Sequence, residues 1–192
     1  MAIFVFRAII SALVVSNNCL RVCDAQLLID FFSFNGEPIS FLHITYLKDV
    51  VDFFLLIESD TTHSGGEPKS FYYVDQYKDH LASLNNTGQI LIEKISFPSD
   101  MTRAWQREKY QRDVGREILL KRFSDQSFVL MVGDADEITR KELIANFTSH
   151  YDEFYHPAHL FMTFHYYSFR WIMEDAWSQA FAINSDGLKA LT

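Results

Sequence analysis

Apolar and polar segments alternate along the first two thirds of the chain. The longest apolar runs lie at residues 27–34, 50–57 and 127–132, and a more mixed segment at residues 90–97 is predicted to form a further strand. Apolar runs of this length, without strict alternation, are typical of strands that are buried on both faces. The segments between these runs carry apolar residues at helical spacing, at residues 39–48, 75–84 and from about 100 to 123. This order of strands and helices predicts an α/β fold with an open, mostly parallel sheet flanked by helices.

The boundaries of the predicted helices follow from their flanking residues. Pro38 is suited to the start of the first helix, because it lacks the amide hydrogen that a helix leaves unpaired there. Ser99 or Asp100 is predicted to cap the long helix. Beyond residue 138 the pattern changes to a short helix, aromatic antiparallel strands, a further strand and the first turns of a helix, at residues 139–147, 154–171, 179–184 and 185–192.

The N-terminal segment is typical of a targeting sequence. Residues 8–15 form an apolar run behind Arg7, which is the length of a signal-peptide core and shorter than the ~20 residues that span a bilayer. We therefore expect a signal peptide at residues 1–25, with a short signal anchor as the alternative, and one domain at residues 26–192. A buried N-terminal strand or helix is disfavoured, because polar residues interrupt the segment at Asn17, Asn18 and Arg21.

Composition narrows the class of protein. The chain has 192 residues, of which 48% are hydrophobic and 22% charged, as in globular domains. Its formal net charge of −8 disfavours general binding to nucleic acid, whose phosphates it would repel. The two cysteines, Cys19 and Cys23, both lie in the N-terminal segment. The predicted domain therefore has neither a disulfide framework nor a cysteine zinc site. Two glycosylation sequons, at residues 85–87 and 146–148, agree with a secretory route.

The main candidate for chemistry is the pair Asp134 and Asp136, which directly follows the fourth apolar run. Alternate residues of an extended chain point the same way, so the two carboxylates can converge. Mn²⁺ or Mg²⁺ commonly binds one or two carboxylates and completes its shell with water and substrate phosphates. The pair therefore predicts a metal site that neutralises a departing diphosphate. The alternative is a solvated acidic turn without function.

The long helix adds candidate cations. Its predicted apolar stripe has steps of four residues and consists of Tyr110, Val114 and Ile118. Toward the N-terminus the same stripe continues as Arg107 and Arg103, with Gln111 at its edge. Because a guanidinium can donate two hydrogen bonds to a phosphate, this end of the helix is predicted to face a diphosphate. Alternatively, the arginines pair with carboxylates or lie flat at the rim.

Two further regions carry weaker candidates. The polar loop at residues 58–66 brings Glu58 and His63 close in sequence to Lys69, and these side chains are candidates for contacts with nucleotide, sugar or acceptor. The aromatic residues between 161 and 177 are candidates for stacking on sugar rings, although aromatic residues at strand spacing more often belong to the core. Glu174 and Asp175, between Trp171 and Trp177, are weak candidates for a general base.

Four segments in order resemble those of a known family. They are the strand and turn at residues 29–38, the strand and loop at 50–65, the helical residues 105–108 with 111–113, and the acidic motif at 134–138. Together they resemble glycosyltransferase family 17, the β-1,4-mannosyl-glycoprotein 4-β-N-acetylglucosaminyltransferases. The resemblance covers residues 27–184.

The resemblance implies a GT-A type fold, UDP-GlcNAc as donor, a β-linked mannose of an N-glycan as acceptor, inversion at the anomeric carbon, and a Golgi setting. It implies metal binding by Asp134 and Asp136, and donor binding by Asp134 and by Glu58, His63, Arg107, Gln111 and Arg112. The family continues into a segment rich in Trp, His and Cys, so we expect the domain to be incomplete at its C-terminus.

Two other functions remain open at this point. A non-catalytic relative would bind a sugar nucleotide or glycan without turnover. A phosphatase with Asp134 as nucleophile is disfavoured, because such aspartates usually follow the first strand and here three strands precede it. Ile138 also occupies the place where such enzymes commonly carry a hydroxyl.

Overall fold

A computed structural model describes residues 26–62, 64, 66–69, 72–165 and 172–191. The strands are β1 Leu27–Ser33, β2 Phe53–Ser59, β3 Ile90–Ile95, β4 Phe128–Gly133, β5 Ala158–His159, β6 Met162–His165, β7 Ile172–Trp177 and β8 Phe181–Asn184. The helices are α1 Ile39–Leu47, α2 Tyr73–Gln76, α3 Lys78–Leu84, α4 Ala104–Arg122, α5 Lys141–Ile144 and α6 Ser185–Ala190, with a 3₁₀ helix at Thr148–Phe154. The predicted signal peptide lies outside the described residues.

Six strands form one sheet in the order β3-β2-β1-β4-β8-β5. The first four are parallel to one another, whereas β8 runs antiparallel to β4 and β5 antiparallel to β8. β6 and β7 form a separate antiparallel pair. The predicted α/β fold with a mostly parallel sheet and an antiparallel C-terminal part is confirmed.

The core occupies both faces of the sheet, as continuous apolar strands predict. In β1, Leu28 and Phe32 face the layer that contains α1, and Ile29 and Phe31 face the layer that contains α4. The helix α4 approaches the sheet closely at Gly115, where a Cβ atom would lie 2.4 Å from the ring of Phe31. A glycine is therefore required at this position for α4 to pack as it does.

Some predicted boundaries are wrong. The strand β2 begins at Phe53, because the amides of Val50 and Val51 still bond to the carbonyl of Leu47 at the end of α1. The cap of α4 is Arg103 rather than Ser99 or Asp100. Its backbone N–H donates to the side chain of Gln106, a contact three residues apart that fixes the start of the helix.

Two predicted helices are shorter than expected. The helix at residues 75–84 is divided into α2 and α3, which meet at Tyr77, and the helix at residues 139–147 is reduced to α5. Among the described residues, none of the helices combines the length and the apolar character that crossing a bilayer requires.

Candidate functional site

The order of the strands places one crevice at the centre of the sheet. From β1 the chain proceeds to β2 and β3 on one side, and it then returns to place β4 on the other side of β1. In open α/β sheets, ligands bind at such a switch point, outside the carboxyl ends of the strands. A cleft of about 280 Å³ lies there, and it is lined by Ser33, Asn35, Glu37, Ile39, Glu108, Asp134, Ala135 and Asp136. We call it the carboxylate cleft.

The turn after β4 presents the two predicted aspartates to this cleft. Asp134 and Asp136 are exposed, while Ala135 between them is buried. Glu137 holds the turn, since one of its carboxylate oxygens accepts the N–H of Asp134 at 2.8 Å and the other accepts the indole N–H of Trp177. Both aspartates reach one opening, but through a turn closed by the N–H of Glu137 on the carbonyl of Asp134, and not through the extended-chain alternation that the sequence suggested.

The carboxylate cleft carries an excess of negative charge. Four of its lining residues are acidic: Glu37, Glu108, Asp134 and Asp136. The guanidinium of Arg112 lies 3.2 Å from Asp134 and 3.1 Å from Glu108. The pKa of Asp134 is raised, chiefly because desolvation at the cleft disfavours its charge; Arg112 opposes this effect, and the carboxylates of Glu137, Glu108 and Asp136 add to it.

This donor set fits a hard divalent cation. Asp134 and Asp136 present exposed carboxylate oxygens at the mouth of the cleft, and a cation there would offset their mutual repulsion. In the part of the chain that the structure describes, no group of three metal-ligating side chains is assembled. A site with two carboxylates is the kind that Mg²⁺ or Mn²⁺ completes with water and phosphate oxygens.

Two predicted donor-binding residues of α4 lie in the interior. Arg107 is only 3% exposed and donates to the carbonyl of Met101 at 2.8 Å, and Gln111 is fully buried and donates to the carbonyl of Ile57. These contacts fasten α4 to the end of β2 and to the segment before α4. Neither residue lines the carboxylate cleft, contrary to the predicted donor-binding role, whereas Arg112 bonds to two residues that do, Glu108 and Asp134.

The reason is a shift of the buried face of α4 by one position. The buried residues are Arg107, Gln111, Gly115 and Leu119, so Arg107 of the predicted stripe is buried, whereas its apolar members Tyr110, Val114 and Ile118 lie at the flank of that face. Arg103 is exposed. The sequence pattern misplaced the face because Gly115, which is the point of closest approach, has no side chain to mark it as apolar.

The loop after β2 is organised by Glu58. This carboxylate is completely buried, and it accepts hydrogen bonds from Lys69 Nζ at 2.6 Å and from the backbone N–H groups of Tyr73 and Val74 at 2.7 and 2.9 Å. Glu58 therefore anchors the loop and the start of α2. It does not line the carboxylate cleft, contrary to the predicted donor-binding role. His63 lies outside the described residues.

The two weak candidates for a general base lie on β7. The backbone of Glu174 and Asp175 belongs to that strand, but their side chains lie outside the described part of the chain. Their role stays a prediction.

Comparison with known families decides the identity. The sequence model of glycosyltransferase family 17 matches residues 15–186, which is most of the chain. The protein belongs to glycosyltransferase family 17. No curated protein matches the chain significantly. Membership of family 17 supports a transferase that uses a nucleotide-sugar donor and a glycan acceptor.

This family 17 chain also contains a buried pair that the sequence analysis missed. His43 on α1 is 2% exposed, and its Nε2 lies 2.9 Å from the carboxylate of Asp30 on β1. Its Nδ1 lies 3.0 Å from the carbonyl oxygen of Ala135. The sequence did contain a signal for this pair, since Asp30 interrupts an otherwise apolar strand. A buried carboxylate requires a hydrogen-bonding partner, so a partner for Asp30 could have been sought.

A second opening extends the carboxylate cleft. It has a volume of about 660 Å³ and shares Ile39 and Asp136 with the carboxylate cleft; its other lining residues are Leu42, Ile138, Thr139, Arg140, Leu143, Leu160, Phe161, Met162 and Thr163. We call it the apolar groove. The ring of Phe161 is 75% exposed. Most of the lining is apolar, and Thr139, Thr163 and Arg140 add hydroxyl and guanidinium groups to it.

Proposed function

We propose that this family 17 protein transfers N-acetylglucosamine from UDP-GlcNAc to a β-linked mannose of an N-glycan in a metal-dependent reaction. The observation that carries the proposal is the set of four carboxylates at the switch point of the sheet. The family match supports the class of reaction, and the resemblance of the four sequence segments supports the donor and the acceptor.

The charge of the carboxylate cleft supports the need for a cation. A diphosphate in this cleft would be repelled by Asp134 and Asp136 unless a positive charge lay between them. The two aspartates would hold Mn²⁺ or Mg²⁺, which would supply Lewis-acid stabilisation of the leaving diphosphate. Arg112 would add a second positive charge beside Asp134.

The apolar groove is the place that we propose for the acceptor. It begins at Asp136, so a ligand in the groove would lie next to the sugar of a donor in the cleft. A sugar ring has apolar C–H faces and polar edges. Phe161 would pack against the faces, while Thr139 and Arg140 would hydrogen-bond to the hydroxyls.

A secretory, Golgi location is proposed from the sequence and from one structural detail. Asn146, in one sequon, is exposed. The amide of Asn85, in the other sequon, is engaged with both backbone groups of Ile90, which accept and donate at 3.3 and 2.7 Å. Asn146 is therefore the sequon that the fold leaves accessible for a glycan.

Calorimetry of donor binding tests the proposal. We expect UDP-GlcNAc to bind in the presence of Mn²⁺ and not in its absence. We expect Asp136→Ala to abolish this Mn²⁺-dependent binding and to leave the far-UV circular dichroism spectrum, which reports the fold, unchanged. The matched control is Asp125→Ala, because Asp125 is also exposed but precedes β4 at the opposite end of that strand. Unchanged donor affinity in Asp136→Ala would refute the metal role.

Turnover separates the transferase from a non-catalytic binder. We expect the purified protein to release UDP from UDP-GlcNAc when Mn²⁺ and an N-glycan with an unsubstituted β-mannose are both present. Mn²⁺-dependent donor binding without UDP release would favour the non-catalytic function instead.

A further inference from the structure

The buried pair of His43 and Asp30 lies directly beneath the turn that carries the aspartates. Asp30 is at the middle of β1 and His43 is on the face of α1 that packs against the sheet. The imidazole stacks on the ring of Phe32, with 4.7 Å between the ring centroids and 15° between the planes. The helix α1, which carries His43, and the contacts with Asp30 and Phe32 of β1 therefore fix the position and the tilt of the ring.

The two ring nitrogens have partners of different kinds. The carbonyl oxygen of Ala135 can only accept a hydrogen bond, so Nδ1 of His43 must carry a hydrogen and donate it. Nε2 meets the carboxyl group of Asp30. The bond to Asp30 fixes the orientation of the imidazole, and the oriented imidazole in turn holds Ala135.

Ala135 is the residue between the two proposed metal ligands. It is buried, whereas Asp134 and Asp136 on either side of it are exposed in the carboxylate cleft. Fixing the carbonyl of Ala135 therefore fixes the backbone from which both carboxylates project. Substitution of a group that orients the ligands of a metal typically lowers the metal affinity roughly 10- to 100-fold.

We propose that His43 is a positioning residue, which holds the carbonyl of Ala135 and so sets the separation of Asp134 and Asp136 for a divalent cation. This inference rests on the proposed metal role of the two aspartates. Asp30 serves as the group that orients His43. Neither His43 nor Asp30 lines the carboxylate cleft, so both act through the turn and not by touching substrate.

Two substitutions of His43 form a matched pair. An asparagine amide can take the place of Nδ1 and keep the bond to Ala135, while it loses Asp30. A glutamine amide can take the place of Nε2 and keep the bond to Asp30, while it loses Ala135. Each variant gives up one buried hydrogen bond, so a purely structural role of His43 predicts similar effects of both.

The readouts are Mn²⁺ affinity, from the electron paramagnetic resonance signal of free Mn²⁺, and amide exchange at residues 134–137 without metal. We expect His43→Gln to weaken Mn²⁺ binding about 10-fold or more and to speed exchange of the turn. We expect His43→Asn to remain close to the wild type in both. Equal effects of the two variants, or a larger effect of His43→Asn, would overturn the inference.

A measurement on the wild type covers the case in which a variant does not fold. We expect the Nδ1–H resonance of His43 to be protected from solvent exchange and to shift when Mg²⁺ saturates the protein. A resonance that does not move at saturation would also overturn the inference. If the wild type binds no divalent cation, the proposed function fails, and the exchange comparison without metal still decides whether His43 holds the turn.

Discussion

At the scale of single residues, the protonation of His43 couples stability to pH. Burial lowers the pKa of His43, but the charge and hydrogen bond of Asp30, the Ala135 carbonyl and the charge of Asp136 together outweigh burial and raise it above 6.5. The folded state therefore holds the proton more tightly than the unfolded state does. The stabilising contribution is fully present below pH 6.5 and is lost as the pH rises through the raised pKa.

This coupling gives a prediction about the free energy of unfolding. We expect the stability advantage of the wild type over His43→Gln to be largest near pH 6 and to decrease steadily toward pH 9, because the wild type loses the proton that its buried pair shares. Urea denaturation at several pH values, in the presence of a chelator, measures the difference. An advantage that grows with pH would show that the neutral imidazole is the stabilising form.

The sequence placed exposed candidate residues better than buried ones. Asp134 and Asp136 could be placed at one opening because they directly follow a buried strand, although a turn and not an extended chain brings them there. The partnership of Asp30 with His43 could not be predicted, since it depends on how α1 packs across β1. Arg107 and Gln111 have side-chain types that suit phosphate, but their contacts are set by the close approach of α4 to the sheet.

At the scale of elements, the loop after β2 depends on one buried ion pair. Glu58 is completely buried, and its partner Lys69 is 9% exposed at the side chain. Because a buried charge that loses its partner cannot be solvated, breaking such a pair costs far more than breaking an exposed one. Glu58 also accepts two backbone N–H groups at the start of α2, so the loop and the helix are stabilised together.

Glu58→Gln should accordingly destabilise the protein by about 3 kcal/mol or more, since a neutral amide leaves the charge of Lys69 uncompensated. The matched control is Asp75→Asn, which breaks the exposed pair with Lys94 and should cost less than about 1 kcal/mol. Urea denaturation measures both. Equal losses in the two variants would contradict the structural role of Glu58.

The apolar groove gives a prediction about the acceptor. We expect Phe161→Ala to raise the acceptor KM roughly 3- to 10-fold, because a sugar ring loses an aromatic contact, and to leave the donor affinity unchanged. Trp105→Ala is the control, since Trp105 is 58% exposed but lies in the first turn of α4 and does not line the groove. Steady-state kinetics at varied acceptor concentrations measures this KM. An unchanged acceptor KM in Phe161→Ala would exclude the apolar groove as the acceptor site.

At the scale of the whole molecule, topology determines where the chemistry is placed. The order β3-β2-β1-β4 opens a crevice between β1 and β4, and the acidic turn follows β4. The sequence predicted the four parallel strands, because largely apolar strand segments alternate with helical segments along this part of the chain. It could not predict their order, since the same alternation of strands and helices is compatible with several arrangements. The cleft residues that follow β1, such as Asn35 and Glu37, were missed for that reason.

The proposed reaction depends on a divalent cation held by Asp134 and Asp136 in the carboxylate cleft. Paramagnetic broadening in ¹⁵N-labelled protein locates such a cation, because bound Mn²⁺ broadens only nearby resonances. With substoichiometric Mn²⁺, we expect broadening of the amides of Asn35 and Ala135, sharp signals from Asp52 and Gln126 at the opposite ends of the strands, and loss of the effect in Asp136→Ala. Broadening centred elsewhere, or persisting unchanged in Asp136→Ala, would contradict this proposal.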